Sequence, residues 1–271
     1  MVSGKQRRLC RLLGADGRSL LIALDHSVTT GAGGGLSNMA AVLRAVVDGG
    51  ADAVVAHRGA AAKEMPLRPA TALVIHLSGN TTLSGRPALK ARVCDPETAF
   101  ALGADAVSAH LTLGAGHTED RAALADLGRI AASCDRLGVP LLVMTYVDGA
   151  ADPAAASLGP AVLHAARVAA ELGADMVKTA HPGDDHLAEL AATVPVPVVI
   201  AGGAATGSWD DFIAAGKKVI GAGLAGLCVG RRVFGSGDPA RATARLRAIV
   251  HGESLARPAE PPAGIAMENA R

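Results

Sequence analysis

Short apolar runs recur along the chain, and several of them are continuous rather than alternating. A strand that is covered on both faces has a continuous apolar sequence, whereas a strand with one face in water alternates apolar and polar residues. The pattern therefore predicts buried strands. There are eight of them, at residues 19–27, 53–59, 72–79, 106–114, 140–148, 176–183, 197–203 and 226–234.

Amphipathic segments with the periodicity of a helix separate most of these runs, and many end at a glycine, as helices often do. The predicted helices cover residues 38–48, 95–102, 119–137, 158–172, 185–192 and 209–215. Alternating strands and helices predict an α/β fold. Eight such units in 271 residues favour a single (β/α)8 TIM barrel. An open, doubly wound sheet is the alternative.

The frame Gly-Ala-Asp, followed by a short apolar run, occurs three times, at residues 50–52, 103–105 and 173–175. A fourth and less complete copy covers residues 221–230. The copies fall on the second, fourth, sixth and eighth predicted strands. Alternate units are therefore similar, which is consistent with a barrel built from doubled units.

Three regions are predicted along the chain. Residues 1–18 would form an N-terminal helix that caps the bottom of the barrel, and residues 19–250 would form the barrel itself. Residues 251–271 are rich in proline and alanine and would be an extended or disordered C-terminal tail, or a segment that contacts another subunit.

Composition and charge exclude several classes of partner. The net charge is +1 and only 2% of the residues are aromatic, so the chain has neither the basic patch nor the stacking platform of a nucleic-acid-binding protein. No apolar run is long enough to span a bilayer, and the N-terminus is a poor signal peptide. The four cysteines are dispersed, which predicts a reduced, cytoplasmic protein.

Lys178 is the most informative single residue, because it is the only lysine near the end of a Gly-Ala-Asp strand. Burial in an apolar strand disfavours the ammonium form, so the pKa of Lys178 is expected to fall toward a range in which the amine is a nucleophile. Such an amine forms a Schiff base with a ketone or an aldehyde. The alternative is a lysine held in a structural ion pair.

Two further residues would complete a site for amine chemistry at the carboxyl ends of the strands, where barrels gather catalytic groups. Asp25 ends the first strand and would shuttle protons as the Schiff base forms. Its alternative role is that of a buried ion-pair partner of Lys178. Tyr146, the only tyrosine, ends the fifth strand and would exchange a proton with the substrate. Its alternative role is that of a core tyrosine.

Two glycine sites follow the seventh and eighth strands, at Gly202-Gly203 and at Gly230. Loops at these positions of a barrel commonly present backbone N–H groups to a phosphate. Arg231 would add positive charge beside the second site. The two sites together favour phosphate binding over two ordinary tight turns.

Histidines also lie near strand ends, at His26, His57, His110 and His181. His57, His110 and His181 would converge at the barrel mouth, but their spacing along the sequence matches no compact metal-binding motif. We therefore predict no metal and no cofactor. These histidines are interpreted as satisfied within the fold or in contact with substrate.

The motifs together resemble the DhnA-type class I aldolases, a family that includes archaeal-type fructose-bisphosphate aldolase, 2-amino-3,7-dideoxy-heptulosonate synthase and 2-amino-4,5-dihydroxy-6-oxo-7-(phosphooxy)heptanoate synthase. The resemblance spans about residues 5 to 250 and depends on segments in the family's order. These are ALDHS, ADAVVAHRG, the tyrosine of the fifth strand, ELGADMVKT with a following PGD, VPVVIAGG and GRRVF.

The resemblance implies a role for each candidate residue. Lys178 would be the Schiff-base lysine, Asp25 an acid/base, and Tyr146 a proton donor or acceptor. Phosphate would bind at the two glycine sites and Arg231. The donor would be a ketose phosphate, dihydroxyacetone phosphate, and the acceptor an aldehyde such as aspartate semialdehyde. Family members are usually homo-oligomers, often pentamers or decamers.

Three departures from the family pattern lie in loops that would face the substrate. Ser27 stands where the family often has glycine, Ala204-Ala205 follows the glycine pair without a lysine, and Ala180-His181 replaces the usual aromatic residue. They argue against fructose bisphosphate as substrate more than against lysine chemistry. The alternatives are glyceraldehyde 3-phosphate as acceptor, a transaldolase-like or acyl-transferring synthase, and a non-catalytic barrel that only binds a sugar phosphate.

Overall fold

The computed structural model describes residues 3–66, 70–84, 89–148, 158–204 and 207–253. Within them, the strands are β1 (Ser19–Ala23), β2 (Ala53–Ala56), β3 (Ala72–His76), β4 (Ser78–Gly79), β5 (Ala91–Arg92), β6 (Ala106–Leu113), β7 (Leu141–Val147), β8 (Met176–Thr179), β9 (Val198–Ala201) and β10 (Gly226–Val229). The helices are α1 (Gly4–Leu12), α2 (Ser27–Thr30), α3 (Met39–Asp48), α4 (Arg58–Glu64), α5 (Pro96–Ala101), α6 (His117–Leu137), α7 (Leu158–Glu171), α8 (Leu187–Thr193), α9 (Trp209–Gly221), α10 (Arg231–Phe234) and α11 (Pro239–His251).

Eight strands close into a barrel in the order β1-β10-β9-β8-β7-β6-β3-β2, and every pairing within it is parallel. The ring closes where Ser19 of β1 aligns with Gly226 of β10. Helices alternate with the strands and cover the outside. The predicted (β/α)8 barrel is confirmed, and each of the eight predicted strands contains one strand of the ring.

Side-chain caps fix where several helices begin. Asn38, Asp95, Ser208 and Asp238 each accept a hydrogen bond from a backbone N–H in the first turn of α3, α5, α9 and α11. A cap of this kind satisfies an amide that has no partner within its own helix. Each helix therefore begins at a residue that the local sequence specifies.

Each ring strand ends before its predicted last residue, and three of these ends show what replaces the strand. The predicted third strand, 72–79, is divided, because Ser78–Gly79 pairs antiparallel with Ala91–Arg92 in a small hairpin outside the ring. The second strand ends at Ala56 and the helix α4 follows from Arg58. The eighth ends at Val229, since residues 231–234 form α10. In the first and third of these segments the apolar side chains of Leu77, Val233 and Phe234 remain buried, so hydrophobicity alone did not show the change in backbone there.

The interior of the barrel is filled by small and medium apolar side chains from every ring strand. Leu12, at the end of α1, belongs to this inner cluster and is fully buried. The carbonyl of Leu12 accepts a hydrogen bond of 2.6 Å from the Ser19 hydroxyl at the start of β1. The predicted tail falls mostly on residues 254–271, which lie outside the described residues. None of the described helices is long and apolar enough to cross a membrane.

The Gly-Ala-Asp frame has a structural role at the amino-terminal rim of the barrel. Its aspartates are Asp52, Asp105 and Asp175. The carboxylate of each accepts a hydrogen bond of 2.7–2.9 Å from a backbone N–H near the start of the preceding ring strand. The donors are, in the same order, Leu20, Leu73 and Leu141. The backbone N–H of each aspartate donates in return to the carbonyl of the same leucine. Each aspartate thus ties its own strand to the preceding one, in the pairs β1–β2, β3–β6 and β7–β8.

A basic side chain supports each of these carboxylates. Asp105 pairs with Arg11, Asp175 pairs with Lys5, and Asp52 contacts both Arg247 and His251. In the incomplete fourth copy, Ala225 occupies the place of the aspartate. The pair β9–β10 is therefore joined at this rim through the backbone bond from Ala225 to Val198 and without a carboxylate.

Replacing Asp175 by alanine should destabilise the barrel by about 1–3 kcal/mol, because it leaves the buried N–H of Leu141 without its acceptor. Asp135 provides a matched control. It also pairs with Lys5, at 2.7 Å, but it is exposed and caps no strand. Asp135→Ala should cost at most about 1 kcal/mol. Denaturant unfolding of both variants measures the difference, and equal losses would show that the Lys5 ion pair, not the strand cap, supplies the stability.

Candidate active site

The carboxyl ends of the ring strands bring the predicted polar residues to one mouth. Asp25 follows β1, Tyr146 lies near the end of β7, and Lys178 lies in β8. The strands β7 and β8 are neighbours, with Met144 aligned to Lys178. Lys178, Tyr146 and the loops after β9 and β10 line one cavity.

Lys178 reaches into the barrel, and its side chain is almost completely buried, with 7% of the residue exposed. Two sulfur atoms flank the amine. Its Nζ lies 3.8 Å from Sδ of Met144 and is also in hydrogen-bonding contact with the thiol of Cys228 on β10. Among the described residues no carboxylate forms an ion pair with the amine of Lys178. The structure therefore does not support the alternative that Lys178 is held in a structural ion pair.

The pKa of Lys178 differs from the sequence expectation. Burial pushes this pKa down, as expected, but Cys228, Tyr146 and Asp25 act in the opposite direction and raise it above the ordinary lysine value. Of these three groups, Asp25 carries a negative charge at neutral pH, because burial also keeps the thiol and the phenol protonated. The free site therefore holds an ammonium ion.

Asp25 is buried, with 8% of the residue exposed, and its carboxylate faces two imidazoles. Its oxygens lie 3.6 Å from Nδ1 of His26 and 3.7 Å from Nε2 of His76. Burial opposes ionisation of Asp25, but the positive charges of Lys178 and Lys90, together with the imidazoles, hold its pKa well below the usual range. Asp25 is therefore an ionised base at neutral pH.

His76 was missed by the sequence interpretation, which placed it inside an apolar strand. It is fully buried, and its Nδ1 lies 2.8 Å from the hydroxyl of Ser108, which is aligned with it on the next ring strand. Burial lowers the pKa of His76 to about 3, so the ring is neutral. The signal in the sequence was a polar residue within an apolar run, at His76 and again at Ser108.

Tyr146 is 40% exposed and lies flat against the imidazole of His110, with ring centroids 4.3 Å apart. His110 is in turn fixed by a 2.7 Å contact between its Nε2 and the hydroxyl of Thr112. The ammonium of Lys178 favours the phenolate, but burial and the charge of Asp25 raise the pKa of Tyr146 above its ordinary value. The side chain is therefore a phenol that can donate a proton, and not a core tyrosine.

The mouth of the barrel is a cavity with two lobes. The first lobe, of about 630 Å³, extends from Lys178 to the glycine loops and His181. The second lobe, of about 1050 Å³, extends from Lys178 to Asp25, Lys90 and His110. The residues that line both lobes are His26, Tyr146, Lys178 and Arg231. Lys178 thus stands where the two spaces meet.

The predicted phosphate residues line the first lobe. Gly202, Gly203 and Gly230 form its far wall, and the guanidinium of Arg231 donates to the carbonyl of Gly203 at 2.9 Å. Packing also requires two of these glycines. A Cβ at Gly202 would lie 2.9 Å from the side chain of Val229, and one at Gly230 would lie 2.6 Å from the ring of His26.

The remaining predicted histidines have different positions. His181 lines the first lobe, and its Nδ1 accepts a 3.1 Å hydrogen bond from the N–H of Gly183. His57 lies outside both lobes, with its ring edge-on to that of His76. The sequence interpretation left it satisfied within the fold or in contact with substrate, and a contact of His57 with substrate stays a prediction. The described residues contain no cluster of three or more His, Cys, Asp or Glu side chains that would hold a metal ion.

Comparison with known proteins gives a consistent result. A sequence profile described as DeoC/LacD family aldolase matches residues 19–236. The chain is 38% identical over 270 residues to the 2-amino-3,7-dideoxy-D-threo-hept-6-ulosonate synthase of Halobacterium salinarum, covering 98% of both proteins. It is 35% identical over 256 residues to the 2-amino-4,5-dihydroxy-6-oxo-7-(phosphonooxy)heptanoate synthase of Streptomyces griseus, covering 92% of this chain and 90% of the relative.

A similar solved structure is an archaeal fructose-1,6-bisphosphate aldolase whose catalytic lysine is covalently bound to the carbinolamine intermediate of its substrate. It superposes with a TM-score of 0.81 and 28% identity, covering 92% of this chain and all of the other.

Proposed function

Because the chain belongs to the DeoC/LacD family of aldolases, we propose that it is a class I aldolase that joins dihydroxyacetone phosphate to an aldehyde through a Schiff base on Lys178. One observation carries the proposal above the others. The amine of Lys178 is buried within the barrel, beside a phenol and an ionised carboxylate, at the junction of two lobes.

The first lobe suits the donor ketone. Its phosphate would lie against the loops of Gly203 and Gly230, whose backbone approaches the cavity without a side chain in the way. The guanidinium of Arg231 supplies charge at the same place. A phosphate held there leaves the ketone carbon of a three-carbon donor directed toward Lys178.

Schiff-base formation starts from the ammonium of Lys178. Asp25 takes one of its protons, the neutral amine adds to the ketone carbon, and the proton returns to the carbinolamine hydroxyl, which leaves as water. Ammonium and ketone thus become iminium and water with no net change in charge. The low pKa of Asp25 keeps this carboxylate ready to accept the proton at neutral pH.

Carbon–carbon bond formation uses the same groups. The iminium draws electrons from the neighbouring carbon, whose proton passes to Asp25, and an enamine forms. The enamine carbon attacks the aldehyde carbon, and the new alkoxide takes the proton of Tyr146. Asp25 then returns its proton to the phenolate, and water releases the product from Lys178. The raised pKa of Tyr146 keeps its proton available for this step.

The acceptor that we favour is aspartate semialdehyde. The compound in the name of the Streptomyces griseus relative has an amino acid end, two hydroxyl carbons and a ketone beside a phosphorylated carbon. Joining dihydroxyacetone phosphate to aspartate semialdehyde gives that arrangement. Glyceraldehyde 3-phosphate is the second candidate, because fructose-bisphosphate aldolases are also similar to the chain.

Borohydride trapping tests the proposal, since hydride reduces an iminium to a stable secondary amine. The protein incubated with dihydroxyacetone phosphate and borohydride should gain the mass of the reduced adduct on the peptide that contains Lys178. Binding of the ketose phosphate without any adduct would instead identify a sugar-phosphate sensor. Coupled assays with the two aldehydes then separate the acceptors.

A further inference from the structure

Lys90 is a second cation of the site and is half-buried. The sequence interpretation did not include it, and the reaction steps above give it no direct part. It directly precedes β5, which pairs with β4 in the small hairpin outside the ring. The hairpin therefore carries Lys90 to the mouth, where it lines the second lobe together with Asp25 and His110. Among the described residues, Lys90 and Lys178 are the two lysines that line this lobe.

The surroundings of Lys90 leave its charge uncompensated. Among the described residues no carboxylate forms an ion pair with it. Asp25, the acid whose charge acts on Lys90, is in contact with His26 and His76. Burial and the neighbouring charge of Lys178 lower the pKa of Lys90, while Asp25 opposes them. A half-buried ammonium without an ion-pair partner is poorly solvated, and an anionic ligand would stabilise it.

We propose that Lys90 binds the anionic group of the acceptor aldehyde, carboxylate or phosphate, in the second lobe, and thereby selects charged over uncharged acceptors. The inference rests on the proposed function and names a specificity-determining residue for it. The lining of the same lobe is also polar at Thr29, Thr30 and Asn80.

The positions of the two lobes indicate which substrate each lobe would hold. Arg231 and the glycine loops hold the donor phosphate in the first lobe, and the donor ketone then occupies Lys178 at the junction. The acceptor must approach the neighbouring enamine carbon from the remaining open space, which is the second lobe. An aldehyde carbon near Tyr146, with its anionic end at Lys90, would place the reacting carbons together.

The test compares acceptors of different charge in the variant Lys90→Met, with dihydroxyacetone phosphate as donor. The acceptors are succinic semialdehyde, glyceraldehyde 3-phosphate and uncharged propanal. Losing a charge-assisted hydrogen bond should raise KM for the anionic aldehydes about 10- to 100-fold. The loss for propanal should be much smaller than either anionic loss, and the ratio of the two anionic losses tells carboxylate from phosphate recognition. Lys90→Arg should restore part of the selectivity, and exposed Lys63→Met is the control.

Equal losses for all three acceptors, or no loss, would overturn the inference and leave Lys90 a structural role beside Asp25. Borohydride trapping with dihydroxyacetone phosphate should persist in Lys90→Met, because Lys178 itself is retained. If the unchanged protein traps no ketose phosphate, the proposed function fails, and calorimetric titration with 4-hydroxybutyrate and with inorganic phosphate still tests Lys90. Binding that weakens in Lys90→Met then supports an anion site, and equal binding overturns it.

Discussion

Replacing Lys178 by methionine should abolish covalent trapping by borohydride and reduce aldol condensation on the order of 10⁴-fold or more, since the nucleophile is lost. Methionine has nearly the length of lysine and no charge, and the amine already lies against Met144 and Cys228. The barrel should therefore accept the substitution. Mass spectrometry of the trapped protein and a coupled rate assay measure the two effects.

Lys217→Met is the matched control, because Lys217 is exposed on α9 and lines neither lobe. It should retain full trapping. Circular dichroism and unfolding of Lys178→Met establish that the fold is intact. An adduct that persists on another lysine in this variant would contradict the assignment of the Schiff base.

Replacing Tyr146 by phenylalanine should slow condensation by about 10²- to 10⁴-fold while Schiff-base formation continues, because the phenol donates its proton only when the carbon–carbon bond forms. The substitution keeps the ring that stacks on His110 and removes only the hydroxyl. Trapping with dihydroxyacetone phosphate should therefore be preserved. The ratio of trapped protein to condensation rate separates the two steps.

A fully active Tyr146→Phe protein would reduce Tyr146 to a packing partner of His110 and leave the alkoxide proton to another group. Loss of both trapping and condensation would also contradict the scheme, since it would place the hydroxyl in the first step rather than the second. The control substitution Phe100→Leu, on α5 and in the lining of neither lobe, should leave the ratio unchanged.

The ring of strands could be predicted from the sequence because each strand is covered on both faces and is therefore continuously apolar. After His76 the chain stops pairing with the ring and Ser78–Gly79 pairs with β5 instead, and this change could not be predicted in the same way. Leu77 and Ser78 are as buried as the strand before them, so their hydrophobicity does not indicate that the backbone leaves the ring. Pairing of β4 with β5 depends on residues far along the chain.

The candidate site was predicted to the extent that it lies at strand ends. Lys178, Asp25 and Tyr146 are at the mouth as expected, but their roles there remain predictions. His76 and Lys90 were missed, because one lies within an apolar run and the other in a loop whose position depends on the hairpin. The direction of the Lys178 pKa shift was wrong for a related reason. Sequence indicated the burial of the amine but not the charge that accompanies it.

The missing aspartate at Ala225 gives the barrel one joint unlike the other three. The strands β1–β2, β3–β6 and β7–β8 are each clamped at the lower rim by a side chain, whereas β9 and β10 are held there by main-chain bonds. The same two strands carry Gly202, Gly203 and Gly230 at the upper rim. Of the four strand pairs that carry the repeated frame, the pair that would present the phosphate loops is thus the one whose opposite end depends on main-chain bonds alone.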